Sequence, residues 1–412
     1  MEEVKYLIIG GGIAGTTAAE TIRRNDPDGS IAIVSDEPYR LYSRIMLSKP
    51  NFFLEKIPFD QIWLKKESWY AENKINFLGG RTAVKLDSTA KVVTLDNAVE
   101  LHYEKLLLAI GGCARKWDTA GASRKGIYYL RTLDHAKEII SAVKSAKQAV
   151  AVGGGFISFE MCDMLKLAGL DVTLVMRENH YWEPLLDETS GRLIEEALER
   201  GGVKIIRKAE IGEIMGQEAI EGVVLKDGAK IPCQMLVMGI GVYCPFEWIR
   251  TGGVEVNRGI LANEYLETNI PDIWTAGDCA EFNDIILKEK VQLGNWVNAQ
   301  SQGRIAGLSM VGKKEIFKLV SFYTTIGFGI TIAFTGDVRV TPDCVVIQRG
   351  SAADGAYGRI IVKNNCIVGA TLINRTADLS PLSKLIEKNV NVSGQDKELA
   401  DSTFNLAELI PK

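Results

Sequence analysis

The cysteines of this chain form no pairs. Its seven, at 113, 162, 233, 244, 279, 344 and 366, are dispersed, with no C-x-x-C and no close spacing. An odd, scattered set excludes a disulfide framework and a zinc or iron–sulfur signature, and it suits reduced thiols in a cytoplasmic protein. Histidine is scarcer still. His102, His135 and His180 lie far apart, and no metal site is expected from them. A basic excess is also missing: the formal net charge is −4, whereas a nucleic-acid binder needs a basic face. No run reaches the ~18 uninterrupted apolar residues of a membrane span. The nearest, Leu319 to Phe334, is broken by one Ser, three Thr and two Gly, and reads as strands. Met1-Glu2-Glu3 leads directly into an apolar strand, which leaves no room for a signal peptide there.

Glycine, by contrast, is plentiful. With 412 residues and 40 glycines, two or three domains rich in tight turns are expected. The first signal is Lys5 to Glu20, KYLIIGGGIAGTTAAE. Tyr6 to Ile9 is an apolar run of strand length, and Thr16 to Arg24 reads as helix. Between them Gly10, Gly12 and Gly15 fit G-x-G-x-x-G, with Ile13 and Ala14 filling the last gap. Gly10 permits the tight turn, Gly12 lets the backbone approach a pyrophosphate, and Gly15 lets the helix pack on the strand. A second strand, Ser30 to Ser35, ends in Asp36 and Glu37, and Asp36 lies 21 residues past Gly15. A carboxylate there can accept the ribose hydroxyls of a dinucleotide.

Pro38 to Pro58 follows as a loop holding Arg40, Arg44, Lys49 and Lys56, either solvated or reaching over a cofactor. Ile75 to Leu108 alternates as strands, with Ala83 among the cofactor-binding candidates, and Leu106 to Gly112 is a buried strand ending in glycines. Ala109 and Gly111 belong to the same candidate set. The opening pattern recurs 143 residues after Gly10. Ala149 to Val152 is a strand, Gly153, Gly154 and Gly155 form the turn with Phe156 and Ile157, and Phe159 to Leu167 is helical. Ser158 stands where a third glycine is usual. The second strand, Asp171 to Met176, ends in Met176 and Arg177 before Glu178. Arg177 would suit a 2′-phosphate, so the choice between NADH and NADPH stays open.

Ile270 to Ala280 combines a short strand, a Gly277-Asp278 turn and the start of a helix. Asp278 is either a turn residue or an acceptor for a ribityl hydroxyl. A helix beginning near Asn295-Trp296 offers free N–H groups to an electron-rich ring edge. From about Phe317 a separate α+β domain is expected, with a helix over Leu379 to Asn389. Two dinucleotide units imply FAD at the first and NAD(P)H at the second, with hydride passing from nicotinamide to flavin.

On these motifs the sequence resembles the FAD-dependent pyridine nucleotide oxidoreductases, in the branch of ferredoxin and rubredoxin reductases. That branch also takes in apoptosis-inducing-factor-like proteins and the flavoprotein part of NAD(P)H nitrite reductases. The resemblance rests further on Tyr42 to Lys49, Leu107 to Gly111, Gly153 to Glu160, Gly239-Ile240-Gly241, Thr275 to Asp278 and Asn295 to Ala299. It implies an α/β chain of glutathione-reductase-like architecture: two Rossmann-like dinucleotide-binding domains and a C-terminal α+β domain. The expected FAD-binding domain is 1–112 with 245–315, the NAD(P)-binding domain 113–244, and the C-terminal domain 316–412. The resemblance also implies a Lys49–Glu160 pair beside the flavin, with Arg44 approaching it, and adds Gly241, Gly277, Asp278 and Trp296 to the cofactor set. Ile45 and Met46 replace the family's prolines, and Phe322-Tyr323-Thr324-Thr325 replaces its Phe-Trp-Ser-Asp stretch.

Disulfide reductases of this superfamily carry a cysteine pair after the first helix, and the peroxidase-like members a single cysteine. No cysteine precedes Cys113 here, so electrons are expected to leave the flavin directly. The expected partner is a small iron–sulfur protein of rubredoxin or ferredoxin type, with neither nucleic acid nor membrane, and with a homodimer left open. The alternatives are a redox-gated interaction protein, and an NAD(P)H oxidase or flavoprotein partner of a metalloenzyme.

Overall fold

A computed structural model describes residues 2–411. Its contacts gather into two compact units, one of residues 1–43, 60–113 and 242–321, the other of residues 44–59, 114–241 and 322–412.

The first unit is built on parallel strands. Glu2–Ile9 lies between Ile31–Ser35 and Glu100–Leu108; Ile75–Gly79 extends one side and Ile273–Thr275 the other. Strands buried on both faces must be apolar throughout, which is why Leu7, Ile8, Ile31 to Val34 and Leu106 to Leu108 read as continuous runs rather than alternating ones. The helices Ile13–Asn25 and Trp296–Met310 pack together in one core cluster through Ala14, Ala18, Ile305 and Ala306. Ala280–Asp284 is a strand paired with Ile260–Ala262 and Glu289–Gln292, not the helix start expected after Asp278. The reason is packing: Phe282 is fully buried in the core, and an extended backbone delivers it there.

The second unit repeats the plan and adds to it. Its parallel sheet runs Val203–Ile206, Asp171–Val175, Gln148–Val152, Met235–Met238, Ile127–Tyr128. The helix Phe156–Leu167 follows the central strand, as a βαβ connection requires. The expected loop is not a solvated one. From Arg44 it forms the helical turns Arg44–Ser48 and Pro50–Phe53, and Leu47, Phe52 and Phe53 are buried. It packs on the helices Leu133–Val143 and Phe156–Leu167.

The α+β segment forms a five-stranded antiparallel sheet in the order Phe322–Gly327, Ile330–Gly336, Cys366–Ile373, Ala356–Lys363, Cys344–Ser351. The helix Leu379–Glu387 covers it with Leu382, Leu385 and Ile386 buried. Arg349 is 1% exposed. It donates to both oxygens of Asp378 and to the carbonyls of Glu398, Leu399, Asp401 and Phe404. A guanidinium removed from water needs that many acceptors. Among the described residues no helix is long and apolar enough to cross a membrane.

Candidate functional site

In the first unit the turn Gly10 to Gly15 is closed by its neighbours. Gly10 has φ +123°, and a Cβ there would lie 2.0 Å from the carbonyl oxygen of Ala109. A Cβ on Gly15 would lie 1.9 Å from the carbonyl oxygen of Gly10. Gly12, the N-cap of the helix, has nothing within 4 Å of its Cβ position. The turn is therefore tight on the protein side and open ahead of the helix N-terminus, the geometry that admits a phosphate.

The other candidates of the unit sit mostly at the ends of its strands and helices. Asp36 is exposed at the end of its strand and accepts the backbone N–H of Glu37 at 2.9 Å. Glu37 in turn accepts the Tyr42 hydroxyl at 2.8 Å. Ala109 and Gly111 follow the strand that flanks Gly10, and Ile13 and Ala14 open the helix. Ala83 begins a strand with its side chain buried in an apolar cluster, which leaves only its backbone for a cofactor. Gly277 has φ +87°, and its N–H donates to Gln302 Oε1 at 2.7 Å. Asp278 lies against Gly294, and Trp296 opens the helix capped by Asn295.

These residues fit FAD on an observation of their own. Gln302 and Asn298 are fully buried, yet Gln302 Nε2 and Asn298 Oδ1 have no hydrogen-bond partner. Orphaned buried polar atoms are costly. Both sit on the helix whose N-terminus, with Gly277, borders the opening, and a polar cofactor chain would relieve them.

The second unit has its own turn. Gly153 has φ +107°, and its N–H donates to Val175 O at 3.0 Å. Ser158 occupies the third-glycine position without loosening the packing. Its hydroxyl donates to Val152 O at 3.0 Å, and the strand it faces supplies the space: a Cβ on Gly239 would lie 2.3 Å from Ser158 Oγ. The glycine has moved to the partner. Gly155 caps the helix, Phe156 and Ile157 begin it, and Gly241, with φ +98°, is exposed beyond the neighbouring strand. Arg177 is turned outward and its Nε lies 3.1 Å from Glu178 Oε1. Glu178 Oε2 is buried without a partner, 3.6 Å from the Cβ position of Gly154. Sequence reasoning passed over Glu178 because Met176 and Arg177 stand ahead of it.

Lys49 and Glu160 are brought together, with Nζ 2.6 Å from Oε1. Glu160 is 5% exposed, and hydroxyl donors complete its shell. Thr325 donates to Oε1 at 2.7 Å, Tyr323 to the same oxygen at 3.3 Å, and Ser48 to Oε2. A buried carboxylate survives only with such partners. Burial, then the Glu160 carboxylate beside it, pushes the Tyr323 phenol well above its ordinary range, so it stays a neutral donor. Tyr323 also packs against Phe156 with the rings tilted and their centroids 3.8 Å apart, whereas Phe322 is exposed. Ser48, Tyr323 and Thr325 were not assigned to Glu160 from sequence. Arg44 Nη1 donates to the carbonyl of Arg131.

Cys162, Cys233 and Cys279 are buried. Burial raises the thiols of Cys162 and Cys279 and pushes that of Cys233 up to about 12. Among the described residues no group of three or more His, Cys, Asp or Glu side chains is placed to hold a metal ion.

Comparison with known proteins places this arrangement. Residues 4–303 match the pyridine nucleotide-disulphide oxidoreductase family, and residues 326–390 match the rubredoxin NAD+ reductase C-terminal domain. The chain is 29% identical to the NAD(P)H nitrite reductase of Bacillus subtilis (strain 168) over 96% of its own length and 49% of the relative's, so it spans about half of that protein. It is 29% identical to the ferredoxin–NAD(+) reductase component of the biphenyl dioxygenase system of Paraburkholderia xenovorans (strain LB400), covering 98% of this chain and 97% of that one. The solved NADH:rubredoxin oxidoreductase of Clostridium acetobutylicum superposes with a TM-score of 0.80 at 26% identity, covering 95% of this chain and 97% of the other. The chain belongs to the pyridine nucleotide-disulphide oxidoreductase family, and its cofactors are FAD and NAD(P)H.

Proposed function

We propose that this chain is an FAD-dependent NAD(P)H oxidoreductase that exchanges electrons with a small iron–sulfur carrier of rubredoxin or ferredoxin type, without a redox-active disulfide. In this reading residues 1–112 and 245–315 bind FAD, 113–244 bind NAD(P)H, and 316–412 form the C-terminal domain. The observation that carries it is the coexistence of two dinucleotide turns with a half-buried Lys49–Glu160 pair, and of thiols that burial keeps protonated. The nicotinamide and flavin supply the two-electron chemistry between them. The protein's part is to bind and orient. Gly10 to Gly15, Gly277 and Gln302 would hold the FAD, and Gly153 to Ile157 the nicotinamide dinucleotide. Lys49 offers a fixed ammonium, which favours a reaction that places negative charge on its acceptor.

Glu178 bears on the nucleotide. Its unpartnered Oε2 beside Gly154 is an acceptor suited to a ribose diol and repels a 2′-phosphate, so NADH is the preferred donor. Anaerobic titration with NADH and NADPH, followed by mixing with a rubredoxin and a ferredoxin, tests the whole reading. NADH should bleach the flavin absorbance, and one of the carriers should restore it. Failure of NADH to bleach a bound flavin, or turnover as fast with oxygen as with either carrier, would sink the proposal. A second reading is favoured by the nitrite reductase match at half that relative's length: a flavoprotein that delivers electrons to a larger metalloenzyme. Neither carrier reoxidising the flavin in the same mixing experiment would point there.

A further inference from the structure

The loop after the strand Asp171–Val175 does more than connect. Its Trp182 has φ +63°, a left-handed conformation that a bulky residue rarely adopts. That backbone folds Trp182 back over the second dinucleotide turn. Its main-chain nitrogen lies 3.6 Å from the Cβ position of Gly154, and its indole Nε1 lies 3.9 Å from that of Gly155. The ring is half-buried, packed edge-on against Phe156 at 4.1 Å and Phe334 at 5.3 Å. The indole N–H, a donor with no acceptor capacity, makes no hydrogen bond within the described residues and is not sealed from solvent, so it is open to an incoming acceptor.

The neighbouring residue explains how this placement is kept. The Tyr181 hydroxyl donates to the Gly155 carbonyl at 2.7 Å, and its main-chain N–H donates to Glu195 Oε1 at 2.8 Å. Glu195 is 1% exposed and is itself held by Arg192 at 2.7 Å and Arg207 at 2.8 Å. The loop is thus anchored to the helix Glu188–Arg200 on one side and to the turn on the other. The Gly155 carbonyl, which also accepts the Phe159 N–H at 3.1 Å, is thereby engaged twice. The helix N-terminus keeps its first backbone N–H groups, with the Trp182 indole nitrogen beside them.

We infer that Trp182 is a binding residue for the nicotinamide dinucleotide, its indole N–H donating to a pyrophosphate oxygen, and that Tyr181 and Glu195 are the positioning residues that hold it there. This rests on the second turn being the NAD(P)H site. Among the described residues Trp182 Nε1 is the one side-chain atom, chain neighbours aside, within 4 Å of the Gly155 Cβ position, and hydrogen bonds to an ionised phosphate are stronger than neutral ones.

The test uses the FAD-loaded enzyme. ADP-ribose, which carries the pyrophosphate without the nicotinamide, is titrated calorimetrically into wild type, Trp182→Phe and Trp182→Leu. Both variants keep an apolar side chain and lose the N–H donor; Trp182→Phe also keeps a ring against Phe156 and Phe334, so the loss shared by the two reports the donor. The expected result is binding about ten-fold weaker in both, at unchanged FAD content and thermal midpoint. KM for NADH should rise by a similar factor, with kcat changing far less, as loss of uniform binding requires. Wild-type protein labelled with ¹⁵N should also show one indole N–H resonance moving downfield on adding ADP-ribose. Equal affinity in wild type and either folded variant, or no indole resonance that moves, overturns the role of Trp182. A wild type that binds neither ADP-ribose nor NADH overturns the site assignment beneath it instead.

Discussion

The two dinucleotide turns share a plan and differ in how they are closed. At the first, Gly10 and Gly15 press against the carbonyls of Ala109 and Gly10, and no side chain within 4 Å fills the space ahead of Gly12. At the second, Ser158 replaces the last glycine, Phe156 opens the helix, and a loop carrying Glu178 and Trp182 folds over Gly154 and Gly155. The first is a rigid cradle of backbone. The second is walled by side chains that can respond to what enters. That contrast suits a cofactor held throughout turnover at one turn and a substrate that comes and goes at the other.

The comparison can be broken most sharply at Gly10. Gly10→Ala forces a Cβ against Ala109 O in a left-handed backbone, and FAD content of the purified protein should fall by on the order of ten-fold or more. A variant that retains its yellow colour would refute the cradle. Next in size is Glu160→Gln, which removes the charge opposite Lys49 and should slow flavin reduction by NADH on the order of a hundred-fold with FAD retained. Unchanged stopped-flow rates would remove the pair from the reaction. Glu178→Gln should raise KM for NADH about ten-fold and lower that for NADPH, whose 2′-phosphate it no longer repels. Equal changes for both nucleotides would show that Glu178 does not face the ribose. Smallest is Ser158→Gly. Because Gly239 already gives Ser158 its room, restoring the third glycine should alter NADH affinity by no more than about two-fold.

The parallel strands and both turns were legible because short apolar runs followed by glycines have one economical physical meaning. The C-terminal segment was legible as strands followed by a helix, whereas the number, order and antiparallel pairing of its five strands were not. The helix expected after Asp278 was misjudged, since a Gly-Asp turn starts a strand as readily as a helix and the deciding contact, Phe282 in the core, is remote in sequence. The pairing of Lys49 with Glu160 came through the family resemblance. The hydroxyls that complete the shell did not, because Ser48 and Thr325 lie 112 and 165 residues from Glu160 and carry no local signal. Glu178 and Trp182 were missed for a related reason. Which way a loop side chain turns depends on anchors such as Glu195, and periodicity does not report them.

Arg349 sets a practical limit on how the chain can be shortened. The family match to the C-terminal domain stops at residue 390, yet the carbonyls that satisfy this guanidinium belong to Glu398, Leu399, Asp401 and Phe404. A protein cut at the edge of the recognised domain would lose all four acceptors together with the buried Leu399 and Leu406, leaving the guanidinium to Asp378 and water. Cloning boundaries chosen from homology would then yield a destabilised product, whereas a stop placed beyond Leu409 would keep both the acceptors and the buried Leu406.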